Sequence, residues 1–119
     1  MLPETLAAID VGTNSFHLIV VRLIRGRKFS VIAKEKMIVR LGESPSQIKH
    51  LSESAIHRGV EAMELFRQIA DRHGSPIRAV ATSAVREASN GEEFIERVRE
   101  TTGIEIEVVS GFEEARLIY

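Results

Sequence analysis

Residues 7–20 read AAIDVGTNSFHLIV: a short apolar run ending on Asp10, a polar break at Gly12, Thr13, Asn14 and Ser15, then a second apolar, β-branched run. Two such runs separated by turn-forming residues predict two strands joined by a tight loop, with Asp10 at the end of the first. The first strand is placed at Leu6 to Val11 and the second at Ser15 to about Ile24. Gly12 lets backbone approach a ligand closely because no Cβ intervenes. Successive amide N–H groups in such a turn can form an anion-binding nest, to which Thr13, Asn14 and Ser15 add neutral donors. Asp10 repels a phosphate directly but can hold a hydrated Mg²⁺ that bridges to one. A plain hairpin turn accounts for the same residues, since Asp, Gly and Asn are turn formers. No lysine follows the glycine as in a Walker loop, and G-x-G-x-x-G is absent, which disfavours a nicotinamide-binding dehydrogenase.

Outward from this stretch, RGRK at 25–28 supplies Gly26 for a turn, and a third strand starts at Phe29, making an antiparallel hairpin with the second. Beyond the polar segment around Pro45 the period changes. Ile56, Val60, Met63, Phe66 and Ala70 recur at helical spacing after Ser52 as N-cap, with Gly74 and Pro76 as stops. IRAVAT at 77–82 reads as a strand. A second helix covers ASNGEEFIERVRETTG at 88–103, with Asn90 and Glu93 in capping-box spacing and Gly103 at the stop. IEIEVVS at 104–110 alternates as a strand. A third helix opens at SGFEEARLIY with Ser110 as cap, which puts Glu113 at N3 of a second capping box. The order is β-β-β-α-β-α-β-α. Strands reached through helices favour parallel placement, so the expectation is a mixed five-stranded sheet with helices.

The chain has 119 residues, one domain's worth, and its 28% charged and 44% hydrophobic content argue against global disorder. With no cysteine, disulfides and thiolate metal sites are excluded. A net charge of −1 gives no support to coating a DNA or RNA duplex. No apolar run is long enough to span a bilayer and no signal peptide is evident, so the expectation is a cytoplasmic protein without a membrane partner.

Three stretches, AAIDVGTNSFHLIV, ATSAVREASN and VVSGFEEARLIY, resemble the exopolyphosphatase and guanosine pentaphosphate phosphohydrolase (Ppx/GppA) family in order and spacing, and LSESAIHRGVEAMELF resembles that family's first helix. The resemblance covers almost the whole chain. It implies a ribonuclease-H-like, actin-like ATPase fold, with residues 1–119 as the N-terminal portion of the first of two such domains. It also implies hydrolysis of terminal phosphate from inorganic polyphosphate, or of the 5′ γ-phosphate of guanosine pentaphosphate, with Mg²⁺ or another divalent cation and a homodimer at full length. Under this resemblance Gly12, Thr13, Asn14 and Ser15 form the first phosphate loop and Arg86 sits beside the phosphates. Asp10 acts through the metal, and Glu114 activates the attacking water. The family's second, glycine-rich phosphate loop lies beyond Tyr119, so the chain reads as truncated and, alone, as inactive. Two other readings compete. One is an actin-like or sugar-kinase-type ATPase, which shares the first loop but is not expected to carry SGFEEARLI. The other is a non-catalytic sensor of polyphosphate or guanosine alarmones.

Other residues have plainer readings. Without the resemblance, Arg86 is a solvated arginine paired with Glu87 or another carboxylate. His17, His50, His57 and His73 lack metal-ligand spacing, and His17, in an apolar strand, is expected to be a hydrogen-bonded core residue. Phe16, Met63, Phe66 and Phe94 are expected in the core. Arg22, Arg25, Arg27 and Lys28 surround the hairpin turn and read as a solvated tip.

Overall fold

The computed structural model describes residues 4–24, 28–42 and 50–110. Five strands, β1 (Thr5–Val11), β2 (Ser15–Ile24), β3 (Lys28–Ile38), β4 (Ile77–Ala81) and β5 (Ile106–Val108), form one sheet in the order β3-β2-β1-β4-β5. β1, β2 and β3 are antiparallel neighbours, whereas β4 lies parallel to β1 and β5 parallel to β4. This is the expected mixed sheet. The helices are α1 (Glu53–Arg72), α2 (Ser83–Glu87) and α3 (Gly91–Thr102).

Strand alternation decides the layers. Ala7, Ile9 and Val11 on β1 and Phe16, Leu18 and Val20 on β2 are buried. Period-2 geometry puts each set on one face, and the cross-strand pair Val11–Phe16 joins the two sets. Against that face α1 lays Ile56, Met63, Phe66 and Ala70, and α3 lays Phe94 and Val98. The rings of Phe16 and Phe94 meet with centroids 6.3 Å apart and planes tilted by 59°. Burying a side chain such as Phe66 contributes about 1.5–3 kcal/mol. Ser52 caps α1 as expected, its Oγ accepting from the Ala55 N–H at 3.0 Å. Gly103 closes α3 in the left-handed conformation, φ 76°.

Four details depart from the sequence reading. First, α2 is an extra helical turn within TSAVREA; at five residues it is too short to show a period, and its N-cap Thr82 makes no side-chain cap bond. Second, Asn90 does not enter a capping box. Its Oδ1 accepts from the Leu51 N–H at 2.8 Å and its Nδ2 donates to the Leu51 carbonyl at 2.9 Å. Leu51 is buried, so its backbone polar groups need partners, and Asn90 supplies both. Third, β5 is only three residues long, Ile106 to Val108, paired with Ala79 to Ala81 of β4. Fourth, His17 is exposed: alternation turns it away from the helices while its neighbours Phe16 and Leu18 are buried. The expected turn at Gly26 and the helix expected after Ser110 lie outside the described residues.

The close approach of α2 to α3 yields a first prediction. A Cβ added at Gly91 would stand 2.1 Å from the Val85 carbonyl oxygen, a backbone atom that cannot swing aside. Gly91→Ala is expected to lose about 1–3 kcal/mol through overpacking. Urea unfolding of the variant measures it, and an unchanged midpoint would mean that α2 shifts without cost.

Candidate active site

The parallel strands β1, β4 and β5 all end at one edge of the sheet, the position at which open α/β sheets gather ligands. Backbone bonds weld these ends together: the Thr82 N–H donates to the Val11 carbonyl at 3.3 Å, and the Val109 N–H to the Ala81 carbonyl at 3.1 Å. Asp10, the loop at 12–14 and α2 therefore share this edge.

The loop is held by its carbonyls. The Gly12 N–H donates to the Ser15 carbonyl at 3.1 Å, closing the turn, and a Cβ at Gly12 would lie 2.7 Å from that same oxygen. The Asn14 carbonyl accepts from the N–H groups of both Val39 and Arg40 at 2.9 Å, and the Thr13 carbonyl from Gly42 N–H at 3.1 Å. Among the described residues, the N–H groups of Thr13 and Asn14 and the side chains of Thr13, Asn14 and Ser15 make no hydrogen bond. Acceptors are thus consumed on one side of the turn while donors are left on offer. That polarity suits an anion.

Arg86 lies in the last turn of α2, exposed, with its Nη1 donating to the Val109 carbonyl at 2.6 Å. Among the described residues, neither Glu87 nor another acid pairs with it. One donor anchors the planar fork to the end of β5, and the rest remain for a ligand. Glu114 lies outside the described residues; Val109, five positions earlier, marks where the chain leaves β5 at this same edge.

Asp10 is on the helix-free face, opposite His17 in register. The sheet strips water from its charged form and raises its carboxyl above the ordinary range, more than His17 pulls it down. Its folded-state pKa is therefore above its unfolded one. Such a group adds stability only when protonated, below the unfolded pKa of about 3.9, and the contribution is lost as pH rises through the folded pKa. In chelator-containing buffer, Asp10→Asn is expected to stabilise the protein at neutral pH, with the gain fading in acid. Urea midpoints at the two pH values check it; a destabilised variant at neutral pH would mean that the carboxylate is held by favourable contacts.

No group of three or more His, Cys, Asp or Glu comes together among the described residues. Among the described residues the donor set is thus one hard carboxylate beside unspent N–H and O–H donors. It fits an ion such as Mg²⁺, which keeps several waters and is held by one or two carboxylates plus substrate phosphates. Among the described residues no helix is long and apolar enough to cross a membrane. The side of the sheet away from α1 and α3 forms an open hollow of about 870 Å³, lined by Asp10, His17, Ile19, Lys36, Arg78 and Val80 among others. Sequence reasoning placed Asp10, the loop and Arg86 at this edge. It missed the segment Val39–Gly42 that grips the loop, because nothing in VRLG announces a partner more than twenty positions earlier.

The family model described as the Ppx/GppA phosphatase family matches residues 19–119. Among solved structures, an exopolyphosphatase from Cytophaga hutchinsonii is 34% identical with a TM-score of 0.89, covering 95% of this chain and 36% of that one. A Ppx/GppA family member from Aquifex aeolicus is 32% identical with a TM-score of 0.88, covering 94% of this chain and 37% of that one. The ethanolamine utilization protein EutJ from Carboxydothermus hydrogenoformans, 13% identical with a TM-score of 0.55 over 92% of this chain and 38% of that one, shares the fold alone. The chain spans 36–37% of the length of the first two relatives.

Proposed function

Because the chain belongs to the Ppx/GppA phosphatase family, we propose that it supplies the first phosphate loop and the water-activating glutamate of a phosphoanhydride hydrolase. The bond cleaved is the terminal one of inorganic polyphosphate, or that of the 5′ γ-phosphate of guanosine pentaphosphate. Residues 1–119 are the front of the first of two actin-like domains in this reading, and the whole protein works in the cytoplasm as a homodimer. The observation that carries it is the loop at 12–15: the carbonyls of Thr13, Asn14 and Ser15 accept from protein N–H groups, while the N–H groups of Thr13 and Asn14 and the side chains of Thr13, Asn14 and Ser15 make no hydrogen bond among the described residues.

In the reaction, Thr13, Asn14 and Ser15 hold the phosphate oxygens through N–H and O–H donors, and Arg86 adds a charge-assisted fork from α2. Glu114 takes a proton from water. The water oxygen bonds to the terminal phosphorus, the bridging P–O bond breaks, and the shortened chain leaves with the bond's electron pair. Little covalent chemistry is asked of the protein; positioning and charge stabilisation supply the rate. When bound, Mg²⁺ held by Asp10 would neutralise phosphate charge. One side of the phosphate clamp resides here, so the 119 residues by themselves are not expected to turn over.

The test is phosphate release by the protein at its natural length, offered polyphosphate and guanosine pentaphosphate in parallel, with Mg²⁺ and with chelator. Metal-dependent release from either supports the reading, and the faster one identifies the substrate. Absence of release from both, with tight polyphosphate binding retained, would favour the sensor.

A further inference from the structure

Among the described residues, Arg40 is the one non-glycine residue with a positive φ, 54°. Long side chains avoid this backbone region, and residues held in it persist only where the surroundings over-determine them. That is the case here. The Arg40 N–H and the Val39 N–H both donate to the Asn14 carbonyl at 2.9 Å. On the other side, Arg58 of α1 donates from Nε to the Val39 carbonyl at 2.8 Å and from Nη2 to the Arg40 carbonyl at 3.0 Å. The backbone of Arg40 is thus clamped between α1 and the loop.

Glycine is the residue that such a conformation favours, and the sequence has one two positions later, at Gly42. A long cation stands at the strained position instead. Several other arginines of the molecule are spent on carboxylates: Arg67 on Asp71, Arg78 on Glu107, Arg97 on Glu53, and Arg99 on Glu96. Arg40 is exposed, and its side chain makes no hydrogen bond or ion pair among the described residues. Its backbone is rooted one hydrogen bond from the Asn14 carbonyl of the loop.

We propose that Arg40 is a further substrate-binding residue, its guanidinium engaging phosphate oxygens of the polyanion held at the loop 12–15. The proposal rests on reading that loop as a phosphate site. A planar fork carries its charge at every working pH and matches phosphate geometry, which a solvated turn residue has no need to do. Its backbone bonds serve the loop whatever the side chain, so the side chain's contribution is separable by substitution.

The experiment uses the protein at its natural length and inorganic tripolyphosphate as probe, with titration calorimetry alongside kinetics. Arg40→Gly keeps the backbone bonds and relieves the conformation, so its thermal midpoint is expected to be equal or higher. Its KM and its Kd for tripolyphosphate are expected to rise about tenfold or more, with a shallower salt dependence. Arg40→Gln, which keeps the stem and removes the charge, should weaken binding similarly, and Arg40→Lys should restore part of it. Asn14→Ala is the control for the loop. If Asn14→Ala weakens binding while Arg40→Gly and Arg40→Gln leave it unchanged, the loop stands and Arg40 is only a turn residue. If none of these variants alters binding, the loop assignment itself fails and the role of Arg40 falls with it.

Discussion

Replacing Glu114 by Gln in the protein at its natural length is expected to lower turnover by about 10²–10⁴-fold, the range for loss of a general acid–base group, with substrate binding largely kept. The neighbouring Glu113→Gln is expected to remain active. The two acids differ by their place in the sequence. With Ser110 as N-cap of the helix expected from the sequence, Glu113 would fall at N3, where a carboxylate or an amide reaches back to the cap N–H, so glutamine would serve there almost as well. In the helix expected from the sequence, Glu114 would fall about 100° further around, away from the capping position. The structure places the exit of this segment: Val109 hydrogen-bonds to Ala81 and accepts from Arg86, so the chain leaves β5 beside α2, at the edge that carries Asp10 and the loop. Single-turnover hydrolysis with a binding assay on both variants decides the matter. An inactive Glu113→Gln and an active Glu114→Gln would exchange the two roles.

Arg86→Ala is expected to raise KM and lower kcat together. A charge-assisted hydrogen bond is worth about 1.5–3 kcal/mol, which corresponds to roughly tenfold to about 150-fold in kcat/KM. Part of the loss is indirect, because the side chain also ties α2 to the Val109 carbonyl. Arg86→Lys separates the parts. Lysine keeps a charge and can bond a carbonyl but cannot present a planar fork to phosphate while doing so. It is expected to retain stability in urea while recovering only a fraction of kcat/KM. Full recovery by lysine would mean that charge alone matters, and unchanged kinetics for Arg86→Ala would return the residue to a structural anchor.

Much of this architecture is written locally. The apolar runs at 6–11 and 15–24 announce two strands, whereas the face they bury, carrying Ala7, Ile9, Val11, Phe16, Leu18 and Val20, emerges only in the structure. The spacing of Ile56, Met63, Phe66 and Ala70 announces α1, and Ser52 and Gly103 close their helices as their chemistry predicts. Asp10 and Gly12 are likewise visible, because a strand end and the turn that follows it are readable from period and punctuation; Arg86 stands out only through the family resemblance, since alone it reads as a solvated arginine. What stayed hidden depends on partners distant in the chain. Asn90 has the spacing of a capping box, yet the buried backbone of Leu51 takes its amide instead. His17 sits among apolar neighbours, yet the helices chose the other face. Nothing near Asn14 reveals that its carbonyl is taken by Val39 and Arg40, or that Arg40 thereby adopts a left-handed conformation. Period and capping act over one turn or one strand, and composition records them. The direction in which a loop faces its donors is settled only when the 39–42 segment and α1 close around it, because backbone carbonyls pair with whichever N–H the fold brings to them.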